Sequence, residues 1–175
     1  MRGKLLVALT SAGLVCALVV AAAAGAGASN RQVNILDNCD GPSFNAALGA
    51  GSCVRGGGLT FETFLTALVE KGEVSSWRFS PGQLKVDSGG TITAVNRGGE
   101  FHTFTPVASF GGGCIDVINQ LLGLTPVPEC AGFPAIFGAT GVDPGASRTT
   151  APLAGGIQRF QCLIHPWQRT TVEVG

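Results

Sequence analysis

Cys162, His165 and Gln168 stand three residues apart in FQCLIHPWQ, residues 160–168, with Pro166 directly behind the histidine. The chain has only two histidines, and the other, His102, lies in an aromatic, Thr-rich run, EFHTFTPV. A thiolate, two imidazoles and an amide oxygen are metal donors. Sulfur and the ring nitrogens supply three strong bonds, and an amide or thioether supplies a distant, weaker fourth. This is the donor set that holds copper in a plane of two histidines and one cysteine, with the fourth ligand tuning it. Zinc fits less well, because a structural zinc site takes four strong nitrogen or sulfur donors and glutamine is a poor one. Taken singly, a buried cysteine is usually inert packing and a lone histidine a satisfied structural residue. Here the packing reading has to hold for both histidines and for the cysteine between them at once.

These donors need strands to bring them together. If Cys162 ends one strand and Gln168 begins the next, the loop between them must fold back so that its donors converge; Pro166 holds that turn and blocks a helix. His102 then comes from a different strand. From Trp77 onward the chain reads as short β-branched or aromatic strands, WRFSP, QLKVD, TITAVN and FHTFTPV, divided by Pro81-Gly82, Gly89-Gly90 and Gly98-Gly99. Strands resume with SRTTAPL, IQRFQC and RTTVEV, and such spacing predicts a β-sandwich. Between them, from Gly111 to about Pro144, a Gly- and Pro-rich segment with a helical pattern in IDVINQLLG reads as an insertion. Ahead of the strands, LTFETFLTALVEKGE carries apolar residues at 61, 64, 65, 68 and 69, with Thr60 as N-cap, Glu62 in the first turn, and Lys71 then Gly72 at the end. That is an amphipathic helix covering the core.

The first 28 residues read as an export signal: Arg2 and Lys4, an uncharged apolar run from Leu5, and a small-residue cleavage site at Ala26-Gly27-Ala28. A retained membrane anchor is the competing reading, because the run has spanning length, but its last eight residues are only Ala and Gly. A lipoprotein reading of Cys16 is weaker, since Gly13 and Val15 occupy positions that want an aliphatic and a small residue. Residues 29–74 form an N-terminal extension with one helix, and residues 75–175 the strand-rich domain, with no membrane span in the mature chain. Of 11 basic and 11 acidic residues, the signal removes Arg2 and Lys4, leaving nine against eleven, a net charge of −2. Nothing in that balance favours nucleic acid.

Five cysteines remain after the signal, an odd number for an oxidising compartment. Cys39 and Cys53 bracket one Gly-rich loop and Cys114 and Cys130 another, so local pairing closes two short loops, each adding about 3 kcal/mol in the entropic account. Cys162 is then unpaired. Four other choices of the odd thiol exist, but only Cys162 lies beside a histidine.

GQLKVDSGGTITAVNRGGEFHTF followed later by FQCLIHPWQRTTVEV resembles the cupredoxins, the type 1 blue copper family, and the CxxHPxx loop is most similar to that of amicyanins, with plastocyanin as a longer-looped relative. The likeness covers roughly residues 75–175. It implies an all-β, Greek-key β-sandwich with the helical extension and the disulfide-tied insertion outside it. It also implies one copper ion, with His102, Cys162 and His165 as ligands and Gln168 in the axial position usually held by Met, as in the stellacyanin branch. Two further departures concern the frame: Thr103 stands where the family has an Asn that ties the ligand loops, and Thr170 where it has a Gly.

The resemblance implies a one-electron carrier in the periplasm or outside the cell, working between redox partner proteins, with the edge of His165 exposed in a Pro166-Trp167 rim. It does not imply an enzyme. No Ser-His-Asp set can be built from two histidines without dismantling the copper site, and no carboxylate pair stands out in the sequence. A copper storage or delivery module, and a metal-free adhesion sandwich, are the alternatives.

Overall fold

The computed structural model describes residues 29–175, so the export signal read at residues 1–28 lies outside the described residues. The chain begins with strand β1 (Asn30–Leu36) and helices α1 (Gly41–Leu48) and α2 (Phe61–Lys71). It continues through β2 (Arg78–Ser80), β3 (Gln83–Val86), β4 (Thr91–Asn96), β5 (His102–Thr103) and β6 (Thr105–Pro106). Helix α3 (Asp116–Leu122), a 3-10 turn at Pro128–Gly132 and helix α4 (Ala135–Thr140) follow, and then β7 (Gly141–Val142), β8 (Ser147–Thr149), β9 (Gly156–Gln161) and β10 (Arg169–Val174).

Two four-stranded sheets, ordered β2-β1-β4-β8 and β3-β10-β9-β6, share one core, and β5 and β7 form a separate ribbon. The strands alternate as a half-buried sheet requires. In β4, Ile92, Ala94 and Asn96 face in; Val33 and Ile35 of β1, Phe79, Phe160 and Val172 complete the interior. Phe104 stacks on Phe160 with ring centroids 4.5 Å apart, and burying each such ring is worth about 1.5–3 kcal/mol.

The chain is sheet-rich but not all-β, since four α-helices accompany the sheets among the described residues. Helix α2 has the ends its sequence predicts: Thr60 Oγ1 accepts from Thr63 N–H, and Gly72 takes a left-handed conformation at φ 72° where a side chain would be strained. Phe64 and Leu68 are buried, whereas Leu65 and Val69 of the same stripe face outward. Helix α1, with Asp40 as N-cap and Pro42 in its first turn, has no amphipathic stripe to announce it.

Asn30–Leu36, read from sequence as part of an extension, is an interior strand. It pairs antiparallel with β2 and parallel with β4, Val33 opposite Ala94 and Ile35 opposite Asn96. Parallel pairing needs a long crossover, here residues 37–90, which carry α1 inside the Cys39–Cys53 loop, then α2, β2 and β3. Disulfides join Cys39 to Cys53 and Cys114 to Cys130, and among the described residues Cys162 is the free cysteine. No helix among the described residues is long and apolar enough to cross a membrane.

Candidate metal centre

Strand β9 delivers Cys162 and β10 departs from Arg169, so the six residues from Cys162 to Trp167 and the returning Gln168 form one tight loop. It is closed by Cys162 N–H donating to the Gln168 carbonyl at 3.0 Å and Gln168 N–H donating to the His165 carbonyl at 2.9 Å. His102 arrives on β5, held opposite Val142. Upstream, the buried Asn96 amide donates to the carbonyls of Glu100 and Val142 and accepts Gly98 N–H, which shapes the turn that aims Glu100 and His102 inward.

Three of the four residues singled out by sequence converge. Cys162 Sγ lies 3.8 Å from His102 Nδ1 and 3.8 Å from His165 Nδ1, and the two nitrogens are 3.2 Å apart. All three side chains are buried, and their donor atoms are close enough to share one metal ion. Gln168 is also fully buried. Its Nε2 donates to the Leu36 carbonyl at 2.9 Å, while its Oε1 is buried with no hydrogen-bond partner among the described residues. A buried carbonyl oxygen without a donor is costly, and a cation is one partner that would satisfy it. The residues therefore fit a metal in donor type, in convergence and in this orphaned oxygen.

The far nitrogens of both imidazoles face carboxylates. His102 Nε2 lies 2.8 Å from Asp37 Oδ2, with both side chains fully buried. An ionised carboxylate only accepts, so Nε2 keeps its proton toward Asp37, and Nδ1 is the nitrogen that faces Cys162 and frees its lone pair when the ring gives up its second proton. His165 Nε2 lies 3.7 Å from Glu100 Oε2, which also accepts the Trp77 indole N–H. Asp37 further accepts N–H bonds from Gly99 at 2.8 Å and Glu100 at 3.1 Å. A Cβ at Gly98 would run into this carboxylate, so glycine at this position lets the acid approach.

Burial alone would raise the Asp37 carboxyl, but hydrogen bonds from His102 and Gly99, and the His102 charge, outweigh it and hold it at about 2. Burial opposes protonation of His102, yet the Asp37 and Cys162 partners push it up to about 9. For Cys162, burial favours the neutral thiol, and the two imidazoles overcome this and hold it well below the usual thiol range. Burial pushes Glu100 up, against the pull of His165 and Trp77. A sulfur kept as thiolate is the form that binds metal.

The loops are tied by threonine. Thr103 N–H donates to Cys162 Sγ at 3.5 Å, and Thr103 Oγ1 accepts Leu163 N–H at 2.8 Å while also receiving Thr105 Oγ1–H at 3.0 Å. Thr170 turns its hydroxyl to the Pro81 carbonyl at 2.9 Å.

The exposed His165 edge expected from sequence is not found. The residue is 4% exposed. Phe64 of α2 meets its ring edge-on at 6.4 Å and Trp167 at 5.4 Å, because the extension folds back over the loop. Sequence reasoning also missed Asp37, Glu100 and Trp77. Asp37 sits two residues before Cys39 and Glu100 two before His102, and that adjacency is the only local sign of either.

No protein-family description matches the sequence, and no curated protein matches it either. Among solved structures, the chain is similar to a purple cupredoxin from Nitrosopumilus maritimus at 19% identity and a TM-score of 0.39, over 83% of this chain and 99% of that one. It is similar to a Cu(I) form of an amicyanin variant at 20% identity and a TM-score of 0.36, over 56% and 73% of the two chains. The oxidised plastocyanin from Dryopteris crassirhizoma matches at 17% identity and a TM-score of 0.37, over 57% of this chain and 89% of that one.

Proposed function

We propose that the chain is an exported copper protein of the cupredoxin kind, in which His102, Cys162 and His165 hold one copper ion with Gln168 as a weak axial donor, and that it carries single electrons between partner proteins. The observation that carries this reading is the convergence of two Nδ1 atoms and one Sγ within 3.2–3.8 Å of one another in a buried pocket. Bound there, copper would supply a couple between Cu(I) and Cu(II). The chain's own part is rigidity. Asp37 fixes the His102 ring, Thr103 locks the cysteine loop to the histidine strand, and burial keeps water out. The carboxylates of Asp37 and Glu100 place negative charge behind both rings, which favours the higher oxidation state. With His165 covered, the contact outward runs through the Phe64 and Trp167 rings.

The two disulfides beside one free thiol support an oxidising, exported setting. We read the paired sheets as a Greek-key sandwich, and the chain as a carrier rather than an enzyme, because both histidines are committed to the cysteine site. Other redox proteins are its partners, and nucleic acid is not.

The visible spectrum of oxidised, copper-loaded protein tests this. An intense thiolate-to-copper band is expected. Copper bound without that band would make the chain a storage or delivery module, and no copper binding would leave an adhesion sandwich.

Gln168→Met is expected to raise the reduction potential by at least about 59 mV, a tenfold shift in oxidised-to-reduced preference, because a thioether is a softer donor than an amide oxygen. The same change removes the bond to the Leu36 carbonyl and should cost about 1–3 kcal/mol. Voltammetry and thermal melting read the two effects separately. A potential that stays or falls with metal bound would remove Gln168 from the axial position.

A further inference from the structure

Helices α1, α2 and α3 enclose a cavity of about 400 Å³ that ends on Glu100 and His165. Its inner wall is aromatic: Phe44 meets Phe61 at 83° and Phe64 at 67°, so the cavity presents both ring faces and ring edges. Its mouth is rimmed by apolar side chains that nothing among the described residues covers, Leu65 at 38%, Leu121 at 44% and Val117 at 69% exposure. Among these apolar side chains the lining includes one carboxylate, Glu100. The Glu100 side chain is 8% exposed, its Oε2 accepts from Trp77, and no hydrogen bond among the described residues reaches its Oε1.

We propose that this cavity binds a small phenol, its ring against Phe44, Phe61 and Phe64 and its hydroxyl donated to Glu100. The proposal does not rest on the copper reading, since every group in it belongs to the chain. A dry apolar cavity of about 150 Å³ already takes benzene, and the space here, about 400 Å³, leaves room for a substituted ring. The perpendicular phenylalanines suit an aromatic ring better than an alkyl chain. A hydroxyl needs one acceptor, and Glu100 offers one. An organic anion would meet Glu100 with Asp37 behind it. An organic ammonium would give up its hydration for a single partner, which is costly in an apolar site.

Calorimetry on the purified protein with p-cresol, toluene and benzoate tests this. We expect p-cresol to bind saturably, one per chain, and about tenfold more tightly than toluene, the worth of one hydrogen bond to a buried acid; benzoate should not bind. Binding of p-cresol should shift the Trp77 indole N–H resonance, because that group shares the Glu100 carboxylate. Leu121→Trp, and independently Val117→Trp, fill the mouth from partly exposed positions and should weaken p-cresol binding by about tenfold or more without lowering the melting temperature. Equal affinity for toluene and p-cresol would overturn the role of Glu100. Affinity unchanged in both Trp variants would put the ligand elsewhere. No saturable binding, with chains instead associating through this face in a way the Trp variants abolish, would make it a protein-docking surface.

Discussion

Cys162→Ser is expected to abolish the thiolate-to-copper absorption entirely while leaving the protein folded. The serine hydroxyl stays protonated and is a poor soft ligand, so the band loses its donor orbital even where copper still visits the histidines. The fold has less to lose. Cys162 is fully buried in the main core, and its sulfur accepts Thr103 N–H at 3.5 Å and faces the two imidazole Nδ1 atoms at 3.8 Å, partners that a serine hydroxyl can also meet. The smaller side chain leaves a slight void, and a destabilisation of about 1 kcal/mol follows. Absorption, far-ultraviolet circular dichroism and thermal melting measure the three effects. A thiol titration of unfolded, unreduced chain from Ser29 should find one thiol in the parent and none in the variant, because the other four cysteines are paired. A blue band that survived the substitution would place the chromophore at another residue.

What could be read from the sequence is what is local. TITAVN and RTTVEV form strands β4 and β10 with the bounds their alternation predicts, and the helix from Phe61 to Lys71 starts and stops at its own capping residues. The disulfides close short loops, and CLIHPWQ is a turn whose two closing hydrogen bonds lie within seven residues. What could not be read is what depends on distant partners. NRQVNIL has only Val33 and Ile35 as buried apolar positions before its end, and its place between β2 and β4 is decided by pairing across some 60 residues. The cover over His165 follows from the same event. Once β1 is in the sheet, the crossover passes the end that holds His102, Cys162 and His165, bringing Asp37 behind His102 and Phe64 against His165. An isolated Asp in ILDNCD carries no pattern that announces this. The outward-facing Leu65 and Val69 were equally hidden, because a helical stripe tells which residues are apolar and not how wide the surface is that meets them.

Asp37→Asn is expected to lower copper affinity by about 10–100-fold, the usual cost of removing a partner that orients a metal-binding histidine. Asp37 is shape-matched by asparagine but not donor-matched. Its two oxygens now face four donors: Gly99 N–H at 2.8 Å and Cys39 N–H at 3.4 Å on Oδ1, Glu100 N–H at 3.1 Å and His102 Nε2 at 2.8 Å on Oδ2. Whichever way the amide turns, its NH2 confronts two of them. Facing Gly99, it leaves buried backbone N–H groups unpaired. Facing His102, it asks the imidazole to accept at Nε2, which moves the ring proton to Nδ1, the atom 3.8 Å from Cys162 Sγ. That tautomer has no lone pair for a metal. Either way stability should fall by about 2 kcal/mol or more, a drop in melting temperature of roughly 4–8 °C for a domain of this size. Copper affinity by competition titration and thermal melting then separate the outcomes, with Asp40→Asn as control. Asp40 caps α1 through Ser43 N–H, a role asparagine also fills, so this neighbouring change should move neither readout. An Asp37→Asn protein that melted lower but bound copper with parental affinity would mean that the carboxylate braces the Gly99–Glu100 turn and does not choose the tautomer of His102.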